Sequence, residues 1–454
     1  LGKAFPSAPS YGGTMLYLSV DFGTSSLKAA VMTAQGDAFA SYKRSYPLIT
    51  TQGVRTEIDP VRVKDAFLDV CAEAFCAYPD IEAICFDTFA PSVMLFDRSG
   101  TPLTPVITHL DRRSRAQTQE ILAKVPEFLS ITGTLPYAGG VSITTLLWLK
   151  QNHPELFRQA YCFGHLTTYI FFLLTGRWGM DGVHASMTGL FKTFGGQWDA
   201  SIADSVGLPL SICPPIYETW DGPLPLRREL AAQWQARRPV YVWMGTHDVS
   251  AAQVGCGNTE PGKLLITSGS SEMLSLLCRH PTPNAAFYTR RAATKDLHQV
   301  FGITLGGFAL EWFYQQFCRE MSQNQFYEQY MPAVLESAAD ESVTFYPYLT
   351  GDRHSFELKT GRFDGLTLHT RREDMLSALV HHMQIPQMEI FNQWKTLGLP
   401  IDDRLKITGN LTQSKAYLEI KRQCFAPHIL DVIDGSPLKG NVLLTQNTYR
   451  REAK

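Results

Sequence analysis

The sequence predicts an α/β protein built from two related domains, and three observations carry that prediction. Leu16-Tyr-Leu-Ser-Val-Asp21-Phe-Gly-Thr-Ser-Ser-Leu-Lys-Ala-Ala-Val-Met32 reads as two buried strands around a Gly-Thr-Ser turn. Lys263-Leu-Leu-Ile-Thr-Ser-Gly269-Ser-Ser-Glu-Met-Leu-Ser-Leu-Leu277 repeats the pattern, and setting Val20–Ser25 on Ile266–Ser271 brings Gly23 and Gly269 into register. At 454 residues the chain is also too long for one ordinary core, so two or three domains are expected.

The turns say more than the strands. Around Gly23 the backbone N–H groups and the hydroxyls of Thr24 and Ser25 are donors that an anionic phosphate needs at close approach. Asp21, at the strand end, can hold Mg²⁺ or its water shell. An ordinary hairpin with a polar tip has the same look, so it is the repeat at Thr267, Gly269 and Ser270 that favours phosphate. Two hairpins half a chain apart suggest two lobes facing one nucleotide.

Composition removes other classes. Hydrophobic content of 44% with 19% charged residues describes a soluble globular chain, and a net charge of −2 lacks the basic excess of a nucleic-acid surface. The nine cysteines show no Cys-x-x-Cys pairing, which argues against a disulfide framework or a zinc site and for a reducing compartment. The richest apolar run, Thr167 to Leu174, is too short to span a membrane. Leu1 to Thr14 lacks the apolar core of a signal peptide, which makes Met15 the candidate start and the cytoplasm the default.

Taken in order, Ala38 to Tyr46 alternates as a strand, and Asp59-Pro60 opens a helix with Val63, Ala66, Phe67, Val70 and Ala74 at helical spacing. Ile81 to Phe86 is a short buried strand ending at Asp87-Thr88-Phe89. Extended Pro102 to Thr108 leads to the polar cluster His109-Leu-Asp111-Arg112-Arg113, placed where an α/β sheet carries its ligand residues. Ser114 to about Leu174 is mostly helical. Gly176 to Trp198 reads as a loop region, and Asp221-Gly-Pro-Leu-Pro to Pro239 as the domain connection. Val240-Tyr-Val-Trp-Met-Gly245-Thr-His-Asp248 is a strand ending in a second polar cluster, and Asp248 could equally cap a helix. Later come Val300 to Leu305, a helix carrying Leu310, Trp312 and Phe313, one helix from about Arg372 to Leu397, the strand Leu405 to Thr408, and a helix from Ser414.

With these pieces in order, the chain from Met15 to about Thr445 resembles the FGGY family of carbohydrate kinases. Five segments carry the resemblance: Asp21-Phe-Gly-Thr-Ser; Pro105-Val-Ile-Thr-His-Leu-Asp111-Arg-Arg113 for the family's Trp-x-Asp-x-Arg; Gly245-Thr-His-Asp248 for its Gly-x-x-Asp; Thr267-Ser-Gly269; and Phe345-Tyr-Pro-Tyr-Leu-Thr-Gly-Asp-Arg353 for its Pro-Tyr-x-x-Gly-Glu-Arg. The resemblance implies two actin-like (ribonuclease-H-like) domains around a central cleft, 15–238 for the sugar and 239–454 for the nucleotide. It implies ATP and Mg²⁺ as cofactors, a small sugar as substrate (a ketopentose first, a sugar acid next), and it allows a homodimer.

Residue by residue, the resemblance puts the catalytic base at Asp248 and sugar contacts at His109, Asp111, Arg113 and His247. Asp21, Gly23, Thr24 and Ser25 fall on the magnesium and phosphate side, Thr267, Gly269 and Ser270 opposite them, and Gly409, Asn410 and Ser414 on the adenosine. An aspartate with an unperturbed pKa of about 3.9 would be ionised at neutral pH and would need no tuning for such a role. The departures are His109 where the family usually has Trp, Thr408-Gly409-Asn410 for Gly-Gly-Gly, Arg422-Gln423 for Ala-Asp, and Gly440-Asn-Val442 for Gly-Ala-Ala. They leave a turnover-deficient sugar-binding or regulatory protein as the alternative, with an actin-like ATPase behind it.

Overall fold

The computed structural model describes residues 15–51, 54–337, 342–352, 354–357 and 359–452. The readings made for Leu1 to Thr14 and for Arg353 lie outside the described residues.

Two units make up the chain. The first runs to Gly257 and takes back Arg290–Asp296 and everything from Ser436; the second holds Asn258–Thr289 and Leu297–Gly435. This differs from a division at 238/239, and hydrogen bonding gives the reason. Tyr241–Val242 and Thr246–His247 both pair in parallel with Ile81–Thr88, so the segment after 239 completes the first sheet. The expected connection is part of that sheet as well, because Leu224–Pro225 pairs with Tyr241–Val242.

The helix Pro437–Glu452 crosses the helix Asp248–Gly255 at two glycines, Gly255 and Gly440. A Cβ on Gly440 would run into the Ala251 carbonyl, and one on Gly255 into the Ser436 carbonyl, so only glycine allows this approach.

The first unit's main sheet has the order Leu224–Pro225, Tyr241–Val242, Ile81–Thr88, Leu16–Phe22, Ser26–Met32, Ala38–Ser45, with Thr246–His247 also on Ile81–Thr88. Both faces are covered. Leu16, Leu18, Val20 and Phe22 pack on Phe67, Val70 and Phe75 of the helix Pro60–Ala77, while Tyr17, Ala30 and Met32 point the other way onto Cys85, Trp243 and Val442. That is why the strands read as near-continuous apolar runs. The helix Pro60–Ala77 starts as the sequence predicts, with the Asp59 side chain accepting from Val61 N at 2.9 Å.

The other large sheet, six-stranded, has the order Tyr288–Arg291, His298–Leu305, Ser271–Cys278, Leu264–Ser268, Arg404–Thr408, Ile429–Val432. Leu264–Ser268 is antiparallel to Ser271–Cys278 and parallel to Arg404–Thr408, as Leu16–Phe22 is to Ser26–Met32 and to Ile81–Thr88. The repeated hairpin therefore marks a repeated sheet.

Two expected elements differ. The region 176–198 holds the helix Gly182–Ser186 and the paired strands Phe191–Lys192 and Gln197–Trp198, and much of it is buried. The helix expected from Arg372 to Leu397 is two, Arg372–His382 and Ile385–Thr396, because Pro386 has no N–H to continue the ladder and its ring crowds the preceding turn. All nine cysteines are free thiols. Among the described residues no helix is long and apolar enough to cross a membrane.

Candidate functional site

Three aspartates meet at the strand ends of the first unit. Asp21 lies in register with Asp87 across the parallel pair Leu16–Phe22 and Ile81–Thr88. Thr246 is in register with Asp87 and His247 with Thr88, which brings the start of the helix Asp248–Gly255 to the same edge. The carboxyls of Asp21 and Asp87 lie close enough to act on each other's protonation. Asn441 Nδ2 donates to Asp87 Oδ2 at 2.5 Å and also reaches Ser19 Oγ at 3.3 Å and the Val20 carbonyl at 3.4 Å. Asp87 Oδ1 and Asn441 Oδ1 are both buried, with no hydrogen-bond partner among the described residues.

Crowding shifts all three acids upward. Burial raises Asp21, against Asp87 and Lys28, and burial followed by the Asp21 and Asp248 charges raises Asp87 well above the usual range. Asp248 is pushed up to about 7, first by burial and then by Asp21, while the Val249 N–H and Arg290 pull the other way. Its side chain still keeps 32% of its surface open. The sequence reading of an untuned aspartate is therefore corrected: burial and Asp21 shift it upward.

Behind Asp248 stands a set of buried histidines. His247 Nε2 lies 3.2 Å from Asp248 Oδ1, which also accepts from Val249 N at 2.6 Å. Burial holds the His247 pKa well below its ordinary value, and Arg290, His184, His109 and His165 push it further down, so the ring is neutral. Its neighbour His184, 6.2 Å away between ring centres, is tied by Nδ1 to Asp181 Oδ1 at 2.5 Å and by Nε2 to Thr167 Oγ1 at 2.8 Å and Thr88 Oγ1 at 3.2 Å. Thr246 Oγ1 donates to Asp181 Oδ2 at 2.9 Å, which links the strand end before Asp248 to the one after Asp87. His109 packs its ring 5.9 Å from Phe89.

Asp111 and Arg113 are engaged with each other. Asp111 accepts from Arg113 N and Nε at 3.0 and 2.9 Å, from an Arg113 terminal nitrogen at 2.7 Å and from Thr56 N at 2.8 Å. Arg113 also pairs with Glu57 and lies 5.1 Å from the Trp148 ring centre. With side chains only 2% and 6% exposed, the two hold their loop in shape through Arg113 Nε and one of its terminal nitrogens.

At the first hairpin Gly23 N donates to the Ser26 carbonyl at 3.0 Å and Tyr46 Oη to the Gly23 carbonyl at 2.6 Å; Thr24 is half-buried and Ser25 exposed. Among the described residues no three His, Cys, Asp or Glu side chains are set to hold a metal ion by themselves. Mg²⁺ does not require that, since it keeps several waters and binds through one or two carboxylates plus phosphates. Orphaned buried oxygens beside a raised carboxyl pair fit such an ion.

In the second unit Thr267 Oγ1 is buried without a partner among the described residues, which leaves it available to a ligand. The turn at Gly269 and Ser270 is held by Gly307 N on the Gly269 carbonyl at 2.8 Å and Phe308 N on the Ser270 carbonyl at 2.9 Å. Gly409, at φ +113°, lies against Ser268, where a Cβ would strike the backbone. Asn410 opens the short helix Asn410–Gln413. Ser414 Oγ accepts from Tyr417 N at 3.3 Å, so this hydroxyl caps the helix Lys415–Phe425. Arg422 and Gln423 lie on that helix's exposed face beside Glu419. A cavity of about 280 Å³ is bounded by Ile303, Tyr348, Asp352, His354, Lys359 and Ile390, and none of the nucleotide candidates lines it.

Sequence reasoning missed Asp181, His184, Arg290, Asn441 and the buried Glu272. It named Asp87 only as a strand end. Polar residues at the end of an otherwise apolar strand were the available signal for Asp87, and the i, i+3 spacing of Asp181 and His184 the signal for that pair.

Residues 16–255 match the model of the N-terminal domain of the FGGY family of carbohydrate kinases. The chain is 23% identical over 425 residues to a xylulose kinase of Bacillus subtilis, covering 91% of this chain and 84% of that protein. It is 24% identical over 437 residues to a gluconokinase of the same organism, covering 92% and 84%. The solved structure of a xylulose kinase from Rhodospirillum rubrum superposes with a TM-score of 0.85 at 22% identity, covering 95% of this chain and 89% of that one.

Proposed function

The chain belongs to the FGGY family of carbohydrate kinases, and on that premise we propose that it transfers the terminal phosphoryl group of ATP to a hydroxyl of a small sugar, with Asp248 as the base. The observation that carries the reading is the place of Asp248: a partly open carboxyl at the edge where three strands end, pushed up by burial and by Asp21.

Phosphoryl transfer is mostly positioning and charge stabilisation, with one carboxylate taking the proton of the attacking hydroxyl. Asp248 Oδ1 accepts from Val249 N, with His247 Nε2 3.2 Å away, which leaves Oδ2 for the sugar hydroxyl. As the new O–P bond forms, that proton passes to Asp248 and the bond to the ADP oxygen breaks. His247, neutral and 3.2 Å from Oδ1, stands beside the carboxylate without adding a charge to it. Asp21 would hold Mg²⁺, which when bound neutralises charge on the phosphates. Thr267, Gly269 and Ser270 serve the phosphates, and Gly409 and Asn410 the adenosine. Ser414 shapes the helix that follows.

A ketopentose such as xylulose is the favoured substrate, and a sugar acid such as gluconate comes next. An acid would call for a free guanidinium fork, and two of the three Arg113 guanidinium nitrogens are engaged by Asp111 and Glu57. His109, in place of the family's Trp, offers a polar edge to a polyol. Free thiols suit a reducing cytoplasm. A coupled ADP-release screen over ketopentoses, polyols and sugar acids tests the reading. Stimulation by a ketopentose above all others is expected; no stimulation by any compound would overturn it and leave a sugar-binding protein without turnover.

A further inference from the structure

We propose that Asp87 and Asn441 form the inner wall of the divalent-cation site, so that this chain offers a second carboxylate to the metal behind Asp21. The inference rests on the reading of Asp21 given above, and it assigns work to two residues that the proposed reaction leaves idle.

Position comes first. Asp87 sits at the end of its strand directly across the parallel pair from Asp21, so a cation at one is within reach of the other. Asp87 is fully buried and Asn441 nearly so, at 0% and 2% exposed. Leaving a buried polar atom unsatisfied costs its full desolvation penalty, and native structures rarely tolerate it. Here two such atoms, Asp87 Oδ1 and Asn441 Oδ1, occur on residues bonded to each other. Both are oxygens. A hard divalent cation takes oxygen ligands, including amide carbonyls, directly or through its waters.

Asn441 cannot exchange its amide ends. Its Nδ2 faces three acceptors: Asp87 Oδ2, the Val20 carbonyl and Ser19 Oγ, whose own hydrogen goes to the Leu438 carbonyl at 2.8 Å. The carbonyl oxygen is therefore fixed as the end without a donor, and the NH₂ holds Asp87 in one rotamer. Supporting groups of this kind usually matter for metal affinity about 10–100-fold.

Mn²⁺ is the probe, followed by its electron paramagnetic resonance signal in the presence of ADP and without sugar, so that binding rather than turnover is read. Asp87→Asn and Asn441→Ala are each expected to weaken Mn²⁺ about 10–100-fold, with unchanged circular dichroism. If Asp87→Asn does not fold, Asn441→Ala still decides, because it leaves the carboxylate in place. The rise in melting temperature on adding Mg²⁺ should then be smaller in Asn441→Ala than in wild type. Unchanged Mn²⁺ affinity in the folded variants would overturn the proposal and make Asp87 a protonated structural carboxyl, and so would a wild type that binds no Mn²⁺. Sugar-stimulated ADP release together with unchanged Mn²⁺ affinity in the variants strikes this inference alone. Mn²⁺ binding that depends on Asp87, without sugar-stimulated release, strikes the kinase reading alone.

Discussion

At the same point of two matching sheets, the first unit places Asp21 opposite Asp87 and the second places Thr267 opposite Thr408. The second unit's acid comes slightly later, at Glu272, and it is met inside the chain. Lys421 Nζ lies 2.5 Å from Glu272 Oε2 and 2.6 Å from Gln387 Oε1, Gln387 Nε2 donates to Glu272 Oε2 at 3.1 Å, and Tyr417 and Ser268 donate to Oε1. Both members of that ion pair are fully buried. In the first unit Lys28 and Arg290 act on Asp21 and Asp248 without bringing either carboxyl back to its ordinary value. One topology thus hosts two uses of buried acid. Charge neutralised by the chain itself holds a structure together, whereas charge left uncompensated waits for protons, cations or substrate.

Breaking the neutralised side should have the largest effect. Lys421→Ala strands Glu272 in the core, and urea unfolding is expected to show a loss of about 3–5 kcal/mol. The double variant Lys421→Met with Glu272→Gln should regain much of it. A small loss in the single variant would mean that the pair is not the second unit's internal counterpart to the open acids.

A middle-sized effect is expected at His184. His184→Asn cuts the tie from Asp181 to Thr88 and Thr167, and positional slack at Asp248 should lower kcat by up to about 10²-fold with little change in KM. The acidic limb of the pH–rate profile should shift with it, since that limb reports the base. A variant that loses stability but keeps both kcat and the pH profile would reduce the network to packing.

The smallest effect concerns pH and stability. The folded Asp248 carboxyl titrates near 7 against an ordinary value of 3.8, so between these values the folded state holds a proton that the unfolded chain releases. Stability from this group is therefore full below about 3.8 and is lost as pH rises through about 7. Asp248→Asn should melt above wild type at pH near 8 and close to it at pH near 4, in buffer with chelator. The reverse order would contradict the upward shift.

Much of this was legible in the residues. Alternation and glycine register gave both hairpins, and Asp59-Pro60 gave the first long helix, because those signals are local. The domain limits were not legible, because Tyr241–Val242, Thr246–His247 and the helix Pro437–Glu452 join the first sheet through contacts far away in sequence. Asp111 and Arg113 were recognised as a motif, but their pairing with each other shows only once the chain is folded. The tuning of Asp248 was hidden for the same reason, since it comes from burial and from Asp21, more than two hundred positions earlier.

The most direct measurement compares sugar-dependent ADP release by wild type and Asp248→Asn, with sugar binding to both followed by calorimetry. Asparagine keeps the shape and removes the proton acceptor. The expected result is turnover reduced by about 10²-fold or more with sugar affinity retained. Near-normal turnover in the variant would contradict the assignment of Asp248 as the base.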